Sequence, residues 1–169
     1  MLDNSSKVAI YMQGHLFTEN GKMGYGALRY LSNEIVAVID SENSGQNTKD
    51  CLPIKRSVPV VKSLDSAIAL GADVLLLGIA NSGGKIPNSW YLVIDNAISK
   101  GLSIINGLHD KLSLRYKNSL NKKQWIWDVR IPQFTPQIAS GKALQTNNKR
   151  ILCVGTDMAS GKMTTSLEL

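Results

Sequence analysis

The residues best equipped for chemistry lie near the carboxyl end of the chain, where Gly155-Thr156-Asp157 is followed by Gly161-Lys162-Met163-Thr164-Thr165. Glycines, a lysine and hydroxyls at this spacing suit the phosphates of a nucleotide. Successive backbone N–H groups can curl round phosphate oxygens, and a helix N-terminus adds partial positive charge. Glycine lets the backbone approach without a Cβ clash. The Lys162 ammonium would reach the outer phosphates, and Thr164 is the nearest hydroxyl that could hold Mg²⁺. The expected ligand is ATP or another nucleotide with Mg²⁺, bound by Gly155, Thr156, Asp157, Gly161, Lys162, Thr164 and Thr165. Two features depart from the common G-x-x-x-x-G-K-[ST] spelling. Five residues rather than four separate Gly155 from Gly161, and Met163 stands where Ser or Thr is usual. The bland alternative is a tight strand-to-helix turn that binds nothing.

Such a loop needs a strand before it and a helix after it. Ile151 to Val154 is an apolar run of the kind that forms a buried parallel strand, and Gly161-Lys162 would open the helix. Leu169 follows eight residues after Gly161. A P-loop domain needs further strands and a metal-binding carboxylate, so the chain reads as truncated just after the P-loop. The tail is expected to be loosely ordered or to borrow a sheet edge, with weak ATP binding or none.

Other candidates are spread through the first 130 residues. Gly21, Gly24 and Gly26 fall as G-x-x-G-x-G, which is not the dinucleotide order G-x-G-x-x-G. With Lys22 and Arg29 near a helix start, they make either an anion site or a glycine-rich loop with solvated cations. Asp40 ends a predicted strand, where an acid either bonds a ribose or is an ordinary strand-end carboxylate. Asn81, Ser82, Gly83 and Gly84 follow the most apolar strand, on the edge where open α/β sheets bind ligands. Their amide, hydroxyl and N–H groups could hold a carboxylate or phosphate, or simply form a turn. His109 follows another strand at the same edge, with Asp110 beside it, as a general base or as a capping group.

The elements that must position these residues alternate. Strands are predicted at 7–12, 35–40, 58–61, 72–79 and 102–106, and period-two alternation marks another at 124–130. Helices are predicted in the second half of 21–31, from Ser63 to Gly71, from a cap at Asn88 or Ser89 to Gly101, and after a 107–110 connection that leads into a helix with Leu108, Leu112, Tyr116 and Leu120 at four-residue spacing. Ala72–Ile79 should be the central strand, covered on both faces. The pattern predicts an α/β fold: a Rossmann-like parallel sheet with helices on both faces, over residues 1–130. A proline-punctuated linker over 131–149 and the first strand, loop and helix of a P-loop domain over 150–169 should follow.

The 169 residues, 43% apolar and 19% charged, suffice for one such core. No apolar run is long enough to span a bilayer and the N-terminus lacks signal-peptide features, so a cytoplasmic protein without a membrane partner is expected. Cys51 and Cys153 have no metal-ligand spacing. The net charge of +6 comes from scattered lysines and arginines, so nucleic acid is not an expected partner.

Thr18 to Tyr30, Val36 to Asp40, Gly78 to Pro87, Gly107-Leu-His109, Asp128-Val-Arg130, Val154 to Asp157 and Gly161 to Thr165 together resemble a domain-of-unknown-function family. Its members join a Rossmann-like N-terminal domain to a P-loop domain. The Gly-Thr-Asp and Gly-Lys wording is also similar to dethiobiotin synthetases. Some members are described as D-glutamate (D-amino acid) N-acetyltransferases. The resemblance implies, for a complete protein, acetyl-CoA as donor, a small-molecule acceptor such as a D-amino acid, and the remainder of the P-loop domain as partner. It adds Arg130 to the ligand-binding set, and a homo-oligomer is expected. The competing expectation is a non-catalytic ligand-binding or assembly domain.

Overall fold

A computed structural model describes residues 2–132, 134, 135, 137–157 and 160–169. The chain divides into two compact units, Met1–Gln133 and Phe134–Leu169.

The first unit is built on six strands: β1 (Lys7–Tyr11), β2 (Glu34–Ile39), β3 (Val60–Val61), β4 (Val74–Leu77), β5 (Ser103–Asn106) and β6 (Ile126–Asp128). They form one sheet in the order β3-β2-β1-β4-β5-β6, and every neighbouring pair is parallel. The strand that the apolar run 72–79 predicts does lie in the middle, between β1 and β5. Helices α1 (Lys22–Tyr30), α2 (Thr48–Cys51), α3 (Leu64–Ala69), α4 (Tyr91–Ser99) and α5 (Leu112–Arg115) connect the strands. Two apolar clusters flank the sheet. One gathers Leu64 and Ala67 of α3, Trp90, and Ile94, Ala97 and Ile98 of α4 against Ala9, Tyr11, Leu75 and Leu77. The other gathers Leu28 of α1 with Leu16, Leu52 and Ile54 against Val8, Ile10, Val38 and Ile105. Alternate residues of the strands therefore serve opposite faces, as a sheet covered on both sides requires, except at Val36 and Ala37 of β2, where the register against β1 shifts and both join the first cluster. Tyr11 and Trp90 meet edge to face, with ring centroids 5.3 Å apart.

The helix α1 lies close on the sheet because two glycines face each other. The Gly24 N–H donates to the Gly78 carbonyl at 2.8 Å, and a Cβ on Gly78 would stand 2.5 Å from Ile10 Cγ2 and 3.1 Å from Gly24 Cα. The helix start thereby reaches the carboxyl end of β4.

Three local expectations change. The helix predicted between the 107–110 connection and Leu120 is a single turn, α5, although Leu108, Leu112 and Tyr116 are all buried as their spacing demands. The N–H groups of Leu108, Leu112 and Ser113 bond side-chain oxygens of Asn106 and Asp128, which holds 107–111 out of a helix. Neither Asn88 nor Ser89 caps α4 through its side chain; the 3-10 turn Asn88–Trp90 feeds directly into the helix, and the Tyr91 N–H donates to the Asn88 carbonyl. In the strand predicted over 124–130, Trp125 and Trp127 share a face, but Val129 is exposed beyond the end of β6.

The second unit contains a 3-10 turn, Lys142–Gln145, and one helix, α6 (Lys162–Glu168). Ile151–Val154 is not a strand. Ile151, Leu152 and Val154 are 79%, 83% and 78% exposed. Among its described residues this unit contains no strand to pair with them, and an extended segment with unpaired N–H and C=O groups cannot be buried. No helix among the described residues is long and apolar enough to cross a membrane.

Candidate functional site

In an open parallel sheet, connections leave the carboxyl ends of the strands on opposite sides where the strand order reverses, and a crevice opens there. Here the reversal falls between β1 and β4. A cleft of about 440 Å³ lies at this rim, lined by Lys22, Met23, Ala80, Asn81, Gly83, Gly84, Gly107, Leu108, His109 and Arg130. Each strand from β1 to β6 on this side of the sheet contributes. Lys22 and Met23 open α1 after β1, residues 80–84 follow β4, residues 107–109 follow β5, and Arg130 follows β6.

The loops are tied to one another by main-chain bonds. The Ala80 N–H donates to the Asn20 carbonyl at 2.7 Å, and the His109 N–H donates to the Gly84 carbonyl at 2.7 Å. The Asp110 carboxylate accepts from the Ile86 N–H at 2.7 Å. Asp110 thus spends a carboxylate oxygen on holding the 80–87 loop. The His109 ring packs on Gly84 so closely that a Cβ there would be 2.2 Å from Cδ2 and 2.6 Å from Nε2. Gly84 also has φ +67°, the left-handed region that favours glycine.

The lining is cationic. Lys22 and Arg130 bring fixed positive charge, His109 adds an imidazole, and among the described residues no Asp or Glu belongs to the lining. Asn81 Nδ2 is buried with no hydrogen-bond partner. A buried donor without an acceptor costs about 1–3 kcal/mol, which a ligand oxygen would recover once the Asn81 amide turns out toward the cleft. Cations, a spare amide donor and glycine backbone together suit a small anion, with an imidazole beside it for proton transfer.

The structure thus brings together Lys22, Asn81, Gly83, Gly84, His109 and Arg130. It does not bring Arg29, Asp40 or Ser82 into the lining. Arg29 is exposed in the last turn of α1. Asp40 is fully buried, and its carboxylate accepts from the N–H groups of Gly14 and Glu42, both at 3.2 Å, and from Asn43 Nδ2 at 2.9 Å. It shapes its own loop, and its charge adds to burial, the larger cause, in raising the Tyr11 phenol. Sequence reasoning missed Met23, Ala80, Gly107 and Leu108 as lining residues. Gly107 and Leu108 stand beside His109, and their place after a strand was the available signal.

The phosphate-loop residues belong to the second unit. Gly161 has φ +85° and opens α6. At Gly155 a Cβ would stand 2.3 Å from Ser160 Oγ and 3.2 Å from Lys162 Cγ, so these two residues leave room only for a glycine. The Lys162 ammonium donates to the Asp157 carbonyl at 2.6 Å and to Ser160 Oγ at 3.0 Å, within its own loop. The Thr165 hydroxyl donates to the Gly161 carbonyl at 3.1 Å. No group of three His, Cys, Asp or Glu side chains that could hold a metal occurs among the described residues.

Comparison with known proteins yields two family matches. Residues 41–132 match "Domain of unknown function (DUF1611_N) Rossmann-like domain", and residues 137–169 match "Domain of unknown function (DUF1611_C) P-loop domain". The chain is 42% identical over 114 residues to a D-glutamate N-acetyltransferase of Pseudoalteromonas sp, and 36% identical over 110 residues to one of Tritonibacter scottomollicae. Each match covers 63% of this chain and 32% of the relative, so the aligned part is about a third of those proteins. A crystal structure of a DUF1611 family protein from Anabaena variabilis ATCC 29413 superposes with a TM-score of 0.89 at 41% identity. It covers 97% of this chain and 48% of that one.

Proposed function

The chain belongs to the DUF1611 family, whose Rossmann-like and P-loop domains both match it, and on that footing we propose that its first unit holds the amino-acid acceptor of an acetyl-CoA-dependent D-amino acid N-acetyltransferase. D-glutamate is the acceptor that the relatives' names suggest. The observation that carries the reading is the cleft itself: two fixed cations, an unpartnered buried amide donor and an imidazole, with no acid among them.

In this reading Lys22 and Arg130 receive the acceptor's carboxylates, joined by Asn81 Nδ2 once its amide turns out toward the cleft, with the Gly83 and Gly84 backbone beside them. An amine attacks only as the free base. Imidazole is the side chain best suited to take a proton near neutrality. His109 removes one from the acceptor's ammonium. The amine nitrogen then bonds to the thioester carbonyl carbon and releases its surplus proton to water, the carbon–sulfur bond breaks, and coenzyme A leaves as thiol carrying the proton His109 returns. The products are the N-acetyl amino acid and coenzyme A.

The second unit supplies the phosphate site in this reading, with Gly155, Thr156, Asp157, Gly161, Lys162, Thr164 and Thr165 around a nucleotide. The tight approach at Gly155 fits a backbone cradle. Thr164 offers Mg²⁺ one neutral oxygen, so phosphates and water would complete its shell. Lys162 must first leave Asp157 and Ser160. With its lysine so engaged and Ile151–Val154 unpaired, the 169-residue chain by itself is expected to bind ATP weakly and not to turn over.

The test has two arms. Calorimetry should show saturable binding of D-glutamate that Arg130→Ala weakens at least tenfold. Mass spectrometry after incubation of the 169-residue chain with acetyl-CoA should find no N-acetyl-D-glutamate, since binding without turnover is what this chain is expected to show. Equal affinity for D-glutamate in the wild-type chain and in both Arg130→Ala and Lys22→Ala would sink the assignment of the cleft.

A further inference from the structure

Asn106 and Asp128 end neighbouring strands, β5 and β6, and are register partners in the sheet. Asn106 is 0% and Asp128 5% exposed. A carboxylate so placed is strongly unfavourable unless its oxygens are bonded. Here both are. Asp128 Oδ1 accepts from Asn106 Nδ2 at 2.8 Å and from the Leu112 N–H at 3.1 Å, and Oδ2 accepts from the Ser113 N–H at 2.9 Å. Asn106 spends the rest of its amide on the connection that carries His109. Its Nδ2 donates to the Asp110 carbonyl at 2.6 Å, and its Oδ1 accepts from the Leu108 N–H at 2.9 Å.

These bonds fall on either side of His109, at 108 and at 110. The same two residues also hold the turn that carries Arg130. The Val129 N–H donates to the Asn106 carbonyl, and the Ile131 N–H donates to the Asp128 carbonyl, both at 2.9 Å. A pair serving only to finish its own strands would bond locally. This one reaches the neighbours of both functional groups that the rim of β5 and β6 contributes to the cleft.

We propose that Asn106 and Asp128 form a buried amide–carboxylate clamp that positions His109 and Arg130 against each other across the cleft. They are positioning residues, since neither lines the cleft itself. The functional meaning of the clamp rests on the reading of the cleft as the acceptor site; its existence does not.

The test is Asp128→Asn, which keeps the shape but replaces one accepting oxygen with a donor. The remaining oxygen keeps its two donors, Asn106 and Leu112, so in the folded variant hydrogen exchange at the Ser113 amide, which then faces the new NH2 group, should quicken at least about tenfold, the effect of losing a bond worth roughly 1.4 kcal/mol. The His109 ring signals in NMR should move while those of His15, the other histidine in the chain, stay. D-glutamate affinity should fall at least about tenfold. Unmoved His109 signals in a folded variant would overturn the proposal. Should the variant not fold, the wild-type chain decides: Leu108, Leu112 and Ser113 amides exchanging at the rates of an open loop would mean no clamp. If wild-type protein ignores D-glutamate, the acceptor-site reading fails, while the ring signals and amide rates still decide the clamp.

Discussion

The imidazole of His109 lies directly on Gly84: a Cβ added there would meet Cδ2 at 2.2 Å, and the His109 N–H bonds the Gly84 carbonyl at 2.7 Å. Two connections far apart in sequence, one after β4 and one after β5, are thus zipped into one wall of the cleft. The glycine is required twice, for its left-handed φ and for the room it leaves the ring.

Gly84→Ala and Gly83→Ala should therefore separate conformation from contact. Both positions have positive φ, +67° and +74°, so each substitution should cost about 1–2 kcal/mol in urea unfolding. Only at Gly84 does the new methyl meet the imidazole; at Gly83 nothing lies within 4 Å. Because His109 is exposed, its ring can swing away at little cost. Gly84→Ala should shift the His109 ring signals and Gly83→Ala should leave them in place. Identical ring spectra in the two variants would contradict the packing.

A second pair sits two residues apart in α1. A methyl on Gly26 meets nothing within 4 Å, so Gly26→Ala should raise stability by about 0.5–1 kcal/mol through helix propensity. A methyl on Gly24 would stand 2.4 Å from Sδ of the fully buried Met12. Gly24→Ala should lower stability by about 1–3 kcal/mol, as overpacking does. Denaturant midpoints of the two variants should move in opposite directions.

The Tyr116 phenol is pushed up to about 12, by burial first and then by the Asp95 carboxylate to which it donates. Its neutral form is the one that folding favours. The stability it contributes is whole below the ordinary tyrosine value of about 10 and is lost as pH rises through the folded value. In an absorbance titration of the five tyrosines, Tyr116→Phe should delete the highest-titrating component and steady the fold between those two pH values. Loss of a component near the ordinary value instead would show that the Tyr116–Asp95 bond does not form.

The Lys162 ammonium is held by Asp157 and Ser160 in its own loop. Calorimetry of the 169-residue chain with ATP and Mg²⁺ should give a dissociation constant near or above about 1 mM, equivalent to some 4 kcal/mol, and Lys162→Ala should change it little. Micromolar binding that the substitution abolishes would show a competent cradle.

What the sequence makes legible here is what depends on local pattern. The run at 72–79 can only be a strand covered on both faces, and it is central. Glycines, Asn81 and His109 after successive strands can be placed on one rim because a parallel sheet puts all such connections there. The helix predicted after the 107–110 connection shrinks to one turn for a nonlocal reason. Its leucine spacing is helical, but the amides that would build its first turns bond Asn106 and Asp128 instead, and Asp128 lies on the neighbouring strand. Asp40 sits at a strand end where acids bind ribose, yet Gly14, Glu42 and Asn43 occupy its oxygens. Ile151–Val154 has the composition of a buried strand, and composition does not say whether a neighbour is there to pair with it.

The central claim is that the cleft at the carboxyl ends of β1, β4, β5 and β6 receives an anionic amino acid beside His109. Its most direct test is an NMR titration of the chain with D-glutamate, following the rings of its two histidines. The account predicts a saturable shift of His109, an unmoved His15, and at least about tenfold weaker binding in Arg130→Ala, where one charge-assisted contact is lost. A His109 signal that stays fixed at saturating D-glutamate, or a response confined to His15 or to residues 134–169, would contradict it.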